Sequence, residues 1–354
     1  MVVPPPPASL TAIAGRVEVR LSDLLDAEQQ RWSALDAEIN EPIEAIRQLV
    51  VAGGKRLRPA FCYWGFVGAD GDPDDEAWVD AGAAFELLHA FALFHDDVMD
   101  GSSTRRGTRT THLAFSDRHD AGVWAGESRR FGEGVAILVG DLAFVYADAL
   151  MHRAPLAARE LWTELRVELN VGQYLDILGT ARSERSRIVA ERIARYKSAK
   201  YTVERPLQLG ALLAAPGRAD ELLPALSSYG LPLGDAFQLR DDVLGAFGDE
   251  VVTGKPVGDD LREGKPTPLM AIAIERADSE QRAVLAGVGR ADLADDEVLG
   301  IQKVLIETGA LAELEADIDR LAEQALRALG TVSICPAARQ GLEDLARYVA
   351  WRDF

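Results

Sequence analysis

Phe85-Glu86-Leu87-Leu88-His89-Ala90-Phe91-Ala92-Leu93-Phe94-His95-Asp96-Asp97-Val98-Met99-Asp100 is the stretch on which the reading of this chain turns. An apolar run ends in three carboxylates, and Gly101-Ser102-Ser103-Thr104-Arg105-Arg106-Gly107 follows at once. Read as a helix, it sets Asp96 and Asp100 one turn apart on one face, roughly 6 Å along the axis, with Asp97 beside them. Carboxylates so close repel one another, and a cation must compensate them. Mg²⁺ suits, because it takes oxygen ligands and binds through a few carboxylates plus substrate phosphates. Arg105 and Arg106 suit the same phosphates, since a planar guanidinium grips them bidentately. Ordinary core packing asks for none of this.

The device recurs at Phe237-Gln238-Leu239-Arg240-Asp241-Asp242-Val243-Leu244-Gly245. Gly248-Asp249, Gly254-Lys255-Pro256 and Asp259-Asp260-Leu261-Arg262-Glu263-Gly264-Lys265 come after it. A single Asp-Asp pair at a helix end is an ordinary solvated terminus. Two pairs, each behind a hydrophobic helix and before a basic, glycine-rich loop, are not. Facing each other across a cavity, they would hold two to three Mg²⁺ ions around one diphosphate and stabilise it as a leaving group.

Outward from these segments the pattern is helical. Leu311, Leu314, Ile318, Leu321, Ala325 and Leu329 recur at spacings of three and four. Ile188 to Leu213 shows the same period, with a break or kink expected at Pro206. Alternating runs that would signal strands are scarce. The expectation is therefore an all-α fold: one large helical bundle around a deep apolar cavity, a single domain over 16–354 behind a disordered Pro-rich leader, 1–15.

Composition narrows the partners. A net charge of −19 over 354 residues argues against nucleic acid and against an anionic membrane surface. The acidic runs Asp70 to Asp80 and Asp292 to Glu297 read as solvated loops or helix starts. Two cysteines, Cys62 and Cys335, give no disulfide framework and fit a reducing cytoplasm. The first residues lack the charged region and apolar core of a signal peptide. Ala81 to Phe94, the longest apolar stretch, carries Glu86 and His89 and is shorter than a membrane span, so no stable membrane insertion is expected.

Taken together, the motifs resemble the trans-isoprenyl diphosphate synthases, or polyprenyl synthetases. That family's Asp-Asp-x-x-Asp followed by Arg-Arg-Gly stands complete in Asp96, Asp97, Asp100, Arg105, Arg106 and Gly107. Its Gly-Gly-Lys-x-x-Arg-Pro is similar to Gly53-Gly54-Lys55-Arg56-Leu57-Arg58-Pro59, its Glu-x-x-His to Glu86-Leu87-Leu88-His89, and its Lys-Thr to Lys197-Ser198. The second aspartate motif departs from the pattern, with Gly245 at the fifth position. Asp249 reaches that place only if the chain bends.

The resemblance implies the isoprenoid synthase fold and a Mg²⁺-dependent condensation of isopentenyl diphosphate with an allylic diphosphate. It implies that Lys55, Arg58, His89 and Arg106 hold isopentenyl diphosphate, and that Asp96, Asp97, Asp100, Asp241 and Asp242 bind metal. Arg105, Lys197, Lys265 and Lys255 would serve the allylic diphosphate. Gln238 and Gln173 orient ligands or satisfy helix neighbours. Lys200 is a site residue or part of a solvated helix face, and His95 buttresses the first aspartate. Ala92, one turn before Asp96, leaves space and Phe91 adds bulk, a pattern similar to geranylgeranyl diphosphate (C20) synthases, with farnesyl diphosphate (C15) second. A homodimer is also implied.

Other classes share part of this pattern. A metal phosphohydrolase would use His95-Asp96 with further histidines, but the chain has five histidines and a carboxylate-rich cluster, which favours Mg²⁺. A class I terpene cyclase would not need Lys55, Arg58 and Arg106. A non-catalytic subunit of a heteromeric synthase is the reading that Gly245 favours.

Overall fold

The computed structural model describes residues 5–182, 184–248, 258–290 and 292–351. Its helices are Ala8–Ser33 (α1), Asn40–Val51 (α2), Leu57–Gly68 (α3), Ala77–Asp100 (α4), Thr111–Ala121 (α5) and Ser128–Leu150 (α6). Leu156–Ala181 (α7), Arg187–Ala194 (α8), Arg205–Ala214 (α9), Ala219–Phe247 (α10) and Asp259–Glu263 (α11) follow. Pro268–Arg276 (α12), Ser279–Leu285 (α13), Asp295–Glu307 (α14), Ala310–Leu329 (α15) and Pro336–Ala350 (α16) complete the set. Among the described residues the only strands are Thr104–Arg105 (β1) and Thr108–Arg109 (β2), one antiparallel hairpin. The all-α expectation holds.

Two of the boundary expectations need correction. The leader does not run to residue 15: helix begins at Ala8, and Leu10, Ile13 and Val17 bury one face of α1. An i, i+3, i+7 stripe of apolar residues overrode the proline-rich start. Pro206 does not break a helix either. It sits in the first turn of α9, where a missing N–H costs nothing, and a π-helical segment, Arg195–Glu204, joins α8 to α9.

A larger apolar core is built on α4, whose Phe85 meets Trp162 of α7 edge-on at 5.4 Å. A smaller one gathers the C-terminal half of α10 with α12, α14 and α15. Both share α10. By length and composition α4 passes for a membrane span, contrary to the expectation from Ala81 to Phe94, but 67% of its apolar window is buried inside the fold. Its apolarity is thus taken up by packing. Close helix contact depends on small residues: a Cβ on Gly65 would strike the Leu207 carbonyl, and one on Gly210 the carbonyl of Cys62.

Candidate active site

The end of α4 is set by Gly101, left-handed at φ 66, which halts the helix one residue after Asp100. The hairpin then turns at Arg106 and Gly107, both with positive φ, as two-residue hairpin loops require. That turn sends Arg105 back onto Asp97, donating from Nε at 2.9 Å and also from Nη2. Asp97 is only 4% exposed, and burial raises its pKa although Arg105 pulls the other way.

Asp96 accepts from Gln173 Nε2 of α7 at 2.8 Å and from Lys197 Nζ at 3.3 Å. Lys197 also donates to Asp176 at 2.6 Å. Burial opposes the Asp96 charge, but Lys197, Lys265 and Arg105 outweigh it and lower its pKa. Asp100 goes the other way, to about 6, through burial and then the neighbouring charge of Asp96. Lys265 lies 3.6 Å from Asp100, 3.7 Å from Asp260 and in contact with Glu263. Burial works against its charge, yet Asp260, Glu263 and Asp100 hold its pKa well above the ordinary lysine range.

Lys197 reaches this place from the π-helical segment, which is pressed between glycines. A Cβ on Gly172 of α7 would meet the Lys197 backbone, and one on Gly234 of α10 the Ala199 backbone. Widened turns of this kind recur at functional sites. Lys200, three residues on, turns away from the cavity to Glu168, half-buried rather than on a solvated face.

On α10 the second pair differs. Asp242 is 5% exposed, accepts from Gln238 Nε2 at 2.8 Å, and leaves Oδ2 without a hydrogen-bond partner among the described residues. Burial pushes its carboxyl well above the carboxylate range. The preceding Arg240 points the opposite way, forking onto Glu315 of α15 at 2.7 Å through both terminal nitrogens and bonding the Ala350 carbonyl. Asp249 and Lys255 lie outside the described residues.

A basic wall completes the site. Gly53 (φ 89) and Gly54 (φ 156) let the chain double back before α3. Arg56, itself left-handed at φ 48, plunges inward to Glu86, Glu18 and the Val50 carbonyl. Glu86 of the Glu-x-x-His pattern is therefore the counterion of Arg56. Arg58 stacks over Tyr201 at 4.3 Å and donates to Thr202 at 3.1 Å. Arg106 is tied to the Leu49 and Gly53 carbonyls. His89, among these arginines, is held neutral by burial and by their charge, and its Nδ1 has no hydrogen-bond partner among the described residues.

All of these surfaces meet in one cavity of about 720 Å³. Lys55, Arg58, His89, Arg106, Asp96 and Lys197 line it, as do Gln238, Asp241, Asp242 and Lys265. Asp97, Asp100 and Arg105 are not among its lining residues. Ala92, Leu93, Leu169 and Ile193 give it an apolar side. Phe91 is not among them; it packs on Phe144 of α6 at 4.8 Å and on His95. His95 does not brace Asp96, since its Nε2 pairs with the Ile137 carbonyl at 3.0 Å. His112 and His119 are buried in α5.

Sequence reasoning missed Arg56, Asp176, Asp260 and Glu263. The buried Glu86 signalled the first, since a carboxylate inside an apolar helix needs a cation. Gln173 and Asp176, three apart on α7, were legible as one polar face. Among the described residues no set of three acidic, His or Cys groups converges to hold a metal unaided. An ion here would take phosphate and water as further ligands, as Mg²⁺ does. The buried Oδ2 of Asp242, which has no hydrogen-bond partner among the described residues, fits that demand.

Residues 40–304 match the polyprenyl synthetase family. The chain belongs to that family. The crystal structure of a geranylgeranyl pyrophosphate synthase from Corynebacterium glutamicum, complexed with isoprenyl diphosphate and magnesium, is 38% identical, with a TM-score of 0.91 over 96% of this chain and 99% of that one. A short chain isoprenyl diphosphate synthase of Methanothermobacter thermautotrophicus is 33% identical over 76% of this chain and 78% of its own. Heptaprenyl diphosphate synthase component 2 of Geobacillus stearothermophilus is 31% identical over 94% and 96%. This polyprenyl synthetase is a trans-prenyltransferase that makes prenyl diphosphates.

Proposed function

We propose that this synthetase condenses isopentenyl diphosphate with an allylic diphosphate (dimethylallyl, geranyl or farnesyl) and that its product is C20 geranylgeranyl diphosphate. One observation carries the reading: Asp96, Asp241 and Asp242 line the same cavity as Lys55, Arg58 and Arg106. Two opposed acidic faces with a basic wall suit two diphosphates, one bound through metal and one bound directly. The Corynebacterium structure, with isoprenyl diphosphate and magnesium, supports both the chemistry and the C20 length.

In this mechanism Asp96, Asp97, Asp100, Asp241 and Asp242 are the residues that would hold Mg²⁺, two to three ions per site, and Gln173 and Gln238 orient two of them. Bound Mg²⁺ supplies charge neutralisation for the departing diphosphate. Lys197 and Lys265 neutralise the same group, and Arg105 keeps Asp97 ionised from behind. Lys255 joins them in this proposal. On the other side Lys55, Arg58, His89 and Arg106 fix isopentenyl diphosphate, His89 as a neutral donor or acceptor. The allylic C1–O bond breaks, the isopentenyl double bond attacks C1, and a proton is lost to the released diphosphate. Leu93, Leu169 and Ile193 keep water from the cation.

Ala92 sits on the cavity wall one turn before Asp96 and lets the growing chain pass, while Phe91 supports that wall from behind. Purified protein given Mg²⁺, isopentenyl diphosphate and each of the three primers should yield C20 product from all. C15 as the end product would overturn the length, and no elongation would overturn the reaction. Ala92→Phe should shorten the product by one or more isoprene units in the same assay.

We also assign the whole described chain to one domain working as a homodimer in a reducing cytoplasm. Leu138 and Val145 of α6, with Val167, Val171 and Tyr174 of α7, leave apolar faces exposed that suit a second copy. Both cysteines are thiols. Sedimentation at micromolar protein should give twice the 38.3 kDa chain mass.

A further inference from the structure

Arg56 stands in the left-handed region at φ 48 just before α3, a conformation that glycine takes more readily than arginine. Its neighbours Lys55 and Arg58 line the cavity. Arg56 borders the cavity too, but it is 4% exposed and four of its five N–H groups are taken by the protein. Nη1 donates to Glu86 of α4 and Nη2 to the Val50 carbonyl, while Nη2 and Nε reach Glu18 of α1 at 3.2 and 3.3 Å. Burial works against the Arg56 charge, yet Glu86 and Glu18 hold its pKa above the ordinary value.

The carbonyl end of α2 anchors a second guanidinium. Arg106 Nη1 donates to the Leu49 carbonyl at 2.8 Å and to that of Gly53. With Arg56 on Val50, two cations thus sit on the last turn of α2, where the helix dipole favours them. Both pass Gly54: a Cβ there would lie 3.4 Å from Arg106 Nη2 and 3.8 Å from Arg56 Nη1. Burial, and then the charges of Arg56, Arg105 and Arg58, lower the Arg106 pKa, and Glu86 opposes them. Glu86, itself 5% exposed, lies three residues before His89 on the same face of α4. One buried ion pair therefore joins the loop of Lys55 and Arg58 to the helix of His89, and sets a carboxylate among the arginines.

We propose that the Arg56–Glu86 pair positions the basic wall: without touching the diphosphate, it fixes where Lys55, Arg58, His89 and Arg106 meet isopentenyl diphosphate. This rests on the proposed function. Removing one partner of a buried pair strands the other charge, whereas removing both does not. Asp96, Asp97 and Asp100 are held by Lys197, Arg105 and Lys265 instead, so the effect falls on one substrate and not on both.

Steady-state condensation with each substrate varied in turn tests this. Glu86→Gln should raise the isopentenyl diphosphate KM ~10-fold and leave kcat and the allylic KM within about threefold. Arg56→Gln should do the same and Arg56→Lys less, and Arg56→Gln combined with Glu86→Gln should be no worse than the worse single variant. Calorimetric titration of isopentenyl diphosphate into the protein with a chelator should give the same ranking without turnover. Thermal unfolding checks that each variant is folded. Where Glu86→Gln does not fold, Glu18→Gln carries the test: its side chain is 49% exposed, and a rise of about threefold is expected. An unchanged isopentenyl diphosphate KM, equal rises for both substrates, or losses that multiply in the double variant would overturn the proposal. No condensation and no isopentenyl diphosphate binding by the unmodified protein would instead overturn the proposed function, and the role of the pair with it.

Discussion

At the end of α4 each aspartate has a cation of the chain beside it: Lys197 for Asp96, Arg105 for Asp97 and Lys265 for Asp100. On α10 the buried Asp242 is met by the neutral Gln238 amide and keeps one oxygen unpartnered. The first cluster is thus compensated by the fold, whereas Asp242 keeps one oxygen for what enters the cavity. The difference teaches how an acidic site can be folded before any ligand arrives. Under the proposed function, the compensating lysines would meet the diphosphate and the unpartnered oxygen would meet the cation.

The largest expected break is at the compensated end. Asp96 is the acid on which Gln173 and Lys197 both converge, so Asp96→Ala removes charge and leaves Lys197 to Asp176 alone. Turnover should fall on the order of 10³-fold. Steady-state condensation rates check it, and a loss under tenfold would refute the assignment. Next comes Gly172→Ala. Its methyl would press on the Lys197 backbone, not on a flexible side-chain end, and so move the ammonium from Asp96. A rate loss of roughly 10²-fold is expected, since displacements of about 1 Å cost that much. Unchanged kinetics would mean that the π-helical segment yields freely.

How far the sequence revealed this depended on where the information lay. The α4 helix, its acidic end and the arginines behind it were legible because the helical period and charge repulsion are local. The pairing of Arg105 with Asp97, rather than with the cavity, was not, because a hairpin with two positive-φ residues decides it. Lys200 and Lys197 look alike on paper, three positions apart in a helical run. Only the widened turns of Arg195–Glu204 send one to Asp96 and the other to Glu168. Phe91 against Phe144 and Asp260 over Gly245 are contacts between distant segments, for which spacing carries no signal.

The second cluster can be loosened without touching an aspartate. Arg240 ties the helix just before the pair to Glu315 and to the end of α16, and it is 7% exposed. Arg240→Ala should cost about 2 kcal/mol of stability, the worth of hydrogen bonds to a charged group. Denaturant unfolding measures it. Mg²⁺-dependent diphosphate binding should weaken more than in Arg105→Ala if the α10 end is the one that relies on added metal, and the reverse order would reverse the comparison drawn above.

The smallest effect is in pH. Asp100 has its carboxyl raised to about 6, by burial first and then by Asp96, so it binds metal as an anion only above that value. From pH 5 to pH 7 its ionised fraction rises from about 0.1 to about 0.9, which should strengthen Mg²⁺ binding roughly tenfold, with proton release on binding at the lower pH. Titrations of Mg²⁺ alone in buffers of different ionisation enthalpy would measure both. Asp100→Asn should remove this part of the slope. Burial also pushes the Asp242 carboxyl well above the usual carboxylate range, so a second rise should persist in that variant, belonging to Asp242. A flat profile in Asp100→Asn would mean that Asp242 is already ionised before metal arrives, and that α10 is compensated after all.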